Sequence, residues 1–86
     1  MTCRVLIDAR AARQLEKLPK SAVERIDAAI AGLAGTQRPT GAKMLQGKLK
    51  PGWRLRVGDY RILYRIDDTA GDVRVFEIGH RREVYR

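Results

Sequence analysis

The sequence predicts one α+β domain: an N-terminal strand, a helical hairpin, and a small antiparallel sheet on which the hairpin packs, in the order β-α-α-β-β-β. Three observations predict it. Apolar residues recur at helical spacing between Ala9 and Leu33, and they alternate with polar ones from Trp53 to Ile66. Gly58-Asp59 divides the alternating stretch with two turn-forming residues, the mark of a tight hairpin. The chain has 86 residues, too few for more than one core, so residues 1–86 are read as one domain.

Each element follows from local pattern. Val5-Leu6-Ile7, bounded by Arg4 and Asp8, reads as the first strand. From Ala9 the period changes: Ala12, Leu15 and Leu18 recur at helical spacing, and Pro19 closes that helix. Ser21 and Glu24 have the spacing of a capping box that opens a second helix. Its apolar stripe is Val23, Ile26, Ile30 and Leu33, and Gly35 is its expected stop. Thr36 to Gly41 is a polar loop. Lys43 to Lys50 reads either as a short irregular strand or as a turn, and Pro51-Gly52 breaks the chain.

Beyond that break, Trp53, Leu55 and Val57 share one face of a strand and Arg54 and Arg56 the other. The returning strand places Tyr60, Ile62, Tyr64 and Ile66 on the apolar side and Arg61, Leu63 and Arg65 opposite. A last strand runs from about Val73 to Ile78. Its phase is ambiguous, since Val73 and Val75 imply one face and Phe76 and Ile78 another; a bulge or burial on both faces accounts for that.

Composition narrows the function. No apolar run is long enough to span a membrane, and the N-terminus lacks a signal peptide's apolar stretch, so a cytoplasmic protein is expected. One cysteine and one histidine cannot assemble a zinc site of the usual kind, and neither metal nor cofactor is expected. The net charge is +8, from 18 Lys and Arg against 10 Asp and Glu, which predicts a polyanionic partner. Thirteen of the cations are arginine, suited to bidentate phosphate recognition.

The charge is concentrated. Between Lys43 and Arg65 stand seven cations and one acid, Asp59. With Gly58-Asp59 as the turn, Arg56 falls opposite Arg61 and Arg54 opposite Leu63, on one face. Like charges facing across a ladder destabilise it by up to roughly 1 kcal/mol. A local rule broken in this way marks a place where function is expected, and a polyanion on that face turns repulsion into attraction. The plainer alternative is arginines snorkelling along an exposed sheet.

The tail adds His80, Arg81, Arg82 and Tyr85. Metal-free RNA cleavage needs a base for the 2′-hydroxyl, cations around the phosphorane, and an acid for the leaving 5′-oxygen. Arginines suit the second task. Tyr85 among arginines suits the base, or stacking on a nucleobase. Histidine is the side-chain type whose ordinary pKa lies nearest neutrality, so His80 is a candidate acid or base, or else an incidental strand-end residue. Lys43, Lys48, Lys50, Arg65 and Arg82 are candidate RNA contacts. Arg10, Arg13 and Lys17 fit ribosomal RNA contacts or a solvated helix face equally.

The segments Trp53-Arg54-Leu55-Arg56-Val57-Gly58-Asp59-Tyr60-Arg61-Ile62-Leu63-Tyr64 and Gly79-His80-Arg81-Arg82-Glu83-Val84-Tyr85 resemble the RelE/ParE toxin superfamily. The resemblance covers nearly the whole chain and implies a RelE-like fold. It implies the toxin of a type II toxin–antitoxin system, a ribosome-dependent endoribonuclease that cleaves mRNA in the A site and inhibits translation. By that resemblance Tyr85 is the base, Arg81 assists the leaving oxygen, and Arg54, Arg56 and Arg61 stabilise the phosphate. The implied partners are an acidic RelB-like antitoxin, the ribosome and mRNA, with operator DNA reached only through the antitoxin. Two departures stand out: arginine fills strand positions that are often lysine in the family, and His80 holds the basic position before Arg81. The alternative within the same superfamily is a ParE-like toxin that inhibits DNA gyrase by binding protein and cuts no RNA.

Overall fold

The computed structural model describes residues 3–47 and 51–80. Its elements are β1 (Arg4–Ile7), α1 (Ala9–Glu16), α2 (Lys20–Gly32), β2 (Lys43–Met44), β3 (Trp53–Val57), β4 (Tyr60–Asp67) and β5 (Asp72–His80). The five strands form one sheet in the order β1-β5-β4-β3-β2. The expected strand, helical hairpin and hairpin-bearing sheet are all present, with two refinements. The stretch after Gly41 that read as strand or turn supplies the two-residue β2, which pairs antiparallel with β3. The sheet is antiparallel from β2 to β5, and β1 joins it parallel to β5. Among the described residues, no helix is long and apolar enough to cross a membrane.

Both helices cover one face of the sheet. Ala11 of α1 and Ile26, Ile30 and Leu33 of α2 and its cap pack on Ile62, Tyr64, Val73, Val75 and Ile78. Trp53, Leu55, Val57, Tyr60 and Ile66 rim this core. The second helix buries Ala22, Ile26 and Ile30, with Val23 only half-buried, so its stripe is rotated slightly from the expected one. At its start, α2 departs from expectation. Pro19 holds the N-cap position, its φ of −58° already suited to helix entry, and no side chain caps the helix. The helix therefore begins before Ser21, which falls inside the first turn, and the Ser21–Glu24 capping box does not form. At the other end α2 stops at Gly32, and Gly35 is not among the glycines with positive φ.

Polar groups at the edges are met locally. Asp8 occupies the N-cap of α1 without capping it. Its carboxylate instead accepts a hydrogen bond from Arg74 Nη1 at 3.0 Å. Beyond the end of β1, helix α1 takes over the β5 edge, where Gln14 Oε1 accepts from the Ile78 amide at 2.8 Å. The Tyr64 hydroxyl donates to the Gln37 carbonyl at 2.9 Å, and Gln37 Nε2 donates to the Leu33 and Ala34 carbonyls at the end of α2. Burial pushes the Tyr64 pKa up from 10.0 to about 12, opposed by the nearby Arg38 guanidinium.

The ambiguous phase of the last strand is resolved by a bulge. Leu63 pairs with Glu77 but Tyr64 pairs with Val75, so Phe76 is an extra residue on β5. Val73, Val75 and Ile78 thereby all reach the helix side.

Two outcomes follow from this packing. In urea denaturation, Ile26→Ala should cost about 2–5 kcal/mol through the cavity it leaves, whereas Ser21→Ala should change stability by less than about 0.5 kcal/mol; a loss near 1 kcal/mol at Ser21 would indicate a working cap. Tyr64 binds its proton more tightly folded than unfolded, so its contribution is intact below pH 10 and is lost as pH rises towards 12. Tyr64→Phe should be less stable at neutral pH and lose less stability than the wild type between pH 9 and 11.

Candidate functional site

The sheet's second face carries the charge. In β3 and β4 the alternation that sends Leu55, Val57, Tyr60, Ile62 and Tyr64 towards the helices sends Arg54, Arg56, Arg61, Leu63 and Arg65 away from them. Val57 pairs with Tyr60, Arg56 with Arg61 and Arg54 with Leu63, the register expected from a two-residue turn. Gly58 has φ of +59° and Asp59 does not have positive φ, the pattern of a type II′ turn. On the far side of β3, Lys43 of β2 pairs with Arg54. Four cations from three strands thus lie in two adjoining rows: Lys43 beside Arg54, and Arg56 beside Arg61.

These cations differ in burial. Arg56 and Lys43 are exposed, Arg54 is half-buried, and Arg61 is only 6% exposed. Its ladder neighbour on the other side is Gly79, which adds no side chain to this face. A guanidinium held at such low exposure has little rotamer freedom left. It is a positioned charge, of the kind that stabilises an anion without reorganising.

Other predicted site residues divide into three groups. Arg65 lies on the same face as Arg61, farther along β4, opposite Arg74. His80 does not join the arginines: it pairs with Tyr60, on the helix-covered side, and the two rings meet edge-on at 5.8 Å. Arg81, Arg82, Tyr85, Lys48 and Lys50 lie outside the described residues. Of the helix cations, Arg10 pairs with Glu77 at 3.0 Å, while Arg13 and Lys17 are exposed on α1.

Two side chains on the charged face escaped the sequence reading. Phe76 is the extra residue of the bulge, and its ring lies 4.2 Å from the Arg65 guanidinium carbon. Arg74 reaches it through the pairing with Arg65. Alternation about Val73 and Val75 sets both on this face, so the signal was there, although neither was singled out as a site residue. Of the tyrosines in the described residues, Tyr64 is unsuited to proton transfer. Its pKa lies far above neutrality and its hydroxyl is committed to Gln37.

Comparison with known proteins matches this arrangement to a family. Residues 5–85 match the model of the ParE toxin of type II toxin–antitoxin systems, parDE. The toxin RelE of Mycobacterium tuberculosis is 36% identical over 83 residues, covering 95% of this chain and 84% of that protein. Toxin RelG of the same organism is 33% identical over 76 residues, covering 88% and 87%. Among solved structures, the archaeal RelE–RelB complex from Pyrococcus horikoshii OT3 contains a chain that superposes with a TM-score of 0.82 at 26% identity, covering 94% of this chain and 97% of that one. With its family model, its relatives and its fold in agreement, this chain belongs to the RelE/ParE toxin superfamily of type II toxin–antitoxin systems, in the RelE-like branch.

Proposed function

We propose that this toxin is an endoribonuclease that acts with the ribosome, cutting mRNA in the A site and thereby arresting translation. The observation that carries the reading is the direct pairing of Arg56 with Arg61, flanked by Arg54, on the sheet face that the helices leave clear. Such a cluster is a poor structural choice and a good phosphate site. In the proposed reaction the 2′-oxygen attacks the adjacent phosphorus and gives up its proton to the phenolate form of Tyr85. Arg54, Arg56 and Arg61 hold the equatorial oxygens while negative charge builds on them. The bond to the 5′-oxygen breaks, that oxygen takes a proton from a water molecule polarised by Arg81, and a 2′,3′-cyclic phosphate and a free 5′-hydroxyl result. The scheme uses neither metal nor cofactor. His80, on the Tyr60 side of the sheet, has no step in it.

The partners in this reading are the ribosome with its mRNA, in the cytoplasm, and an antitoxin. The Pyrococcus horikoshii relative was solved as a RelE–RelB complex. A RelB-like antitoxin for this chain would be acidic, because masking a +8 protein requires carboxylates across from its arginines. Operator DNA would be met only through that antitoxin. Lys43, Lys48, Lys50, Arg65 and Arg82 would add contacts to RNA backbone, weakening with salt as their ion release dictates.

A second reading is favoured by one observation, that the matched family model is that of the ParE toxin. On that reading the chain would inhibit DNA gyrase by binding it and leave RNA intact. Primer extension on mRNA from cells expressing the toxin alone distinguishes the two: cuts within translated frames support the ribonuclease, and broken chromosomal DNA beside intact mRNA supports the gyrase inhibitor.

In the same assay, Arg56→Ala and Arg61→Ala should each lower cleavage by about 10²-fold or more, the usual effect of removing one transition-state donor. Arg81→Ala and Tyr85→Phe should relieve growth arrest as well. Undiminished cutting in all four variants would sink the assignment.

A further inference from the structure

The charged face carries a second arginine pair for which the cleavage scheme has no use. Arg65 and Arg74 face each other across β4 and β5. Arg65 stands four residues along β4 from Arg61, about 13 Å at ~3.3 Å per strand residue. A stacked nucleic-acid strand covers that distance in about four nucleotides at ~3.4 Å each, and a drawn-out strand in fewer.

Two features set this end of the face apart. The first is the bulge. Phe76, the chain's only phenylalanine, is the extra residue there, and the Arg65 guanidinium lies over its ring at 4.2 Å on the arginine side. A guanidinium layered on an aromatic ring is a flat cationic platform, and a nucleobase of any identity can stack on it. The second is a concavity of about 500 Å³ whose lining includes Arg65, Arg74, Asp67, Asp72 and Pro51. Its volume falls in the range of sites that enclose a small ligand. Arg74 spends Nη1 on Asp8 at 3.0 Å, and its remaining N–H groups and those of Arg65 are donors for phosphate, while the carboxylates offer acceptors to ribose hydroxyls or base amino groups. Asp68 also lines it, and all three carboxylates are anchored: Asp67 Oδ1 accepts from the Ala70 amide at 3.0 Å, Asp68 Oδ2 pairs with Arg38 at 3.4 Å and Asp72 Oδ1 with Arg4 at 3.2 Å, while none is paired with Arg65, whose guanidinium lies over Phe76.

We infer that Arg65, Phe76 and Arg74 form a subsite for an unpaired nucleotide of the substrate RNA that flanks the scissile phosphate, its base stacked on the Arg65–Phe76 platform. The inference rests on the ribonuclease reading and adds to it a second point of attachment. With both ends held, the strand lies along β4 with the scissile phosphate at Arg56 and Arg61.

The test uses ribosomes programmed with mRNAs that carry a single abasic nucleotide, moved outward from the cut one position at a time. At one flanking position, loss of the base should slow cleavage by the wild-type toxin about tenfold, the usual worth of one base–aromatic stack. Phe76→Leu, which keeps an apolar side chain on the bulge, should cut the intact and the abasic mRNA at the same reduced rate. Arg65→Lys should behave likewise, because lysine keeps the charge but has no plane to stack on. Such coupling between side chain and base is a readout that a merely structural role would not move. A flanking-base effect as large in Phe76→Leu as in the wild type, or none in the wild type, overturns the subsite and leaves the ribonuclease standing. If the wild-type toxin cuts none of the mRNAs, the ribonuclease reading fails and the subsite falls with it.

Discussion

Val57 meets Tyr60 across Gly58 and Asp59, and that pairing commits every side chain of β3 and β4 to a face. The consequence is severe because strand periodicity is two. A slip of one residue would carry Arg54, Arg56, Arg61 and Arg65 under the helices and expel Leu55, Ile62 and Tyr64. No core of this size could absorb four buried guanidinium groups. The turn is fixed by its backbone. Gly58 adopts φ of +59°, which residues with a Cβ rarely adopt, and the nearest obstacle to a Cβ, Arg25 Nη2 of α2 at 2.8 Å, is the movable end of an exposed side chain. The positive φ is therefore what calls for glycine.

The same strand serves as floor for the core and as floor for the candidate site. Along β4, Ile62 and Tyr64 are fully buried on one side, while the other carries Arg61 and Leu63, which are buried as well, and the exposed Arg65. Repulsion between Arg56 and Arg61 is offset by burial of their strand neighbours, each worth roughly 1.5–3 kcal/mol when a large aliphatic or aromatic side chain leaves water. Stability and charge placement therefore share one backbone. Arginines anchored in this way stay put when no substrate is bound, as a phosphate site requires.

Much of this was legible in the sequence, and the legible part is the local part. The β3–β4 register, the Arg56–Arg61 pairing and the apolar stripe of α2 all follow from spacings within a few residues. What escaped depends on contacts between distant segments. The parallel docking of β1 on β5 has no local signature. The capping box of Ser21 and Glu24 was a sound motif overridden by a nearby residue, because Pro19 already favours helix entry two residues earlier. His80 was a candidate for its chemistry and its place beside Arg81, and no local pattern says which way it faces. The extra residue at Phe76 reverses the alternation of Val73 and Val75 and sets His80 across from Tyr60.

That reversal has a chemical cause that can be read from the ladder itself. Without the bulge, the pairing of Tyr64 with Val75 would continue by placing Glu77 opposite Ile62 in the core and Ile78 opposite Arg61 on the charged face. A buried carboxylate costs several kcal/mol unless it is paired, and an isoleucine would fill the space beside Arg61. One inserted residue exchanges the two. Ile78 enters the core, 1% exposed, and Glu77 moves out to meet Arg10 at 3.0 Å. Gly79 then stands next to Arg61. The residue displaced by this adjustment is Phe76, and its ring comes to lie against Arg65 on the same face as the arginine cluster. A correction required by the core thus also shapes the charged face, setting Gly79 beside Arg61 and leaving Phe76 against Arg65.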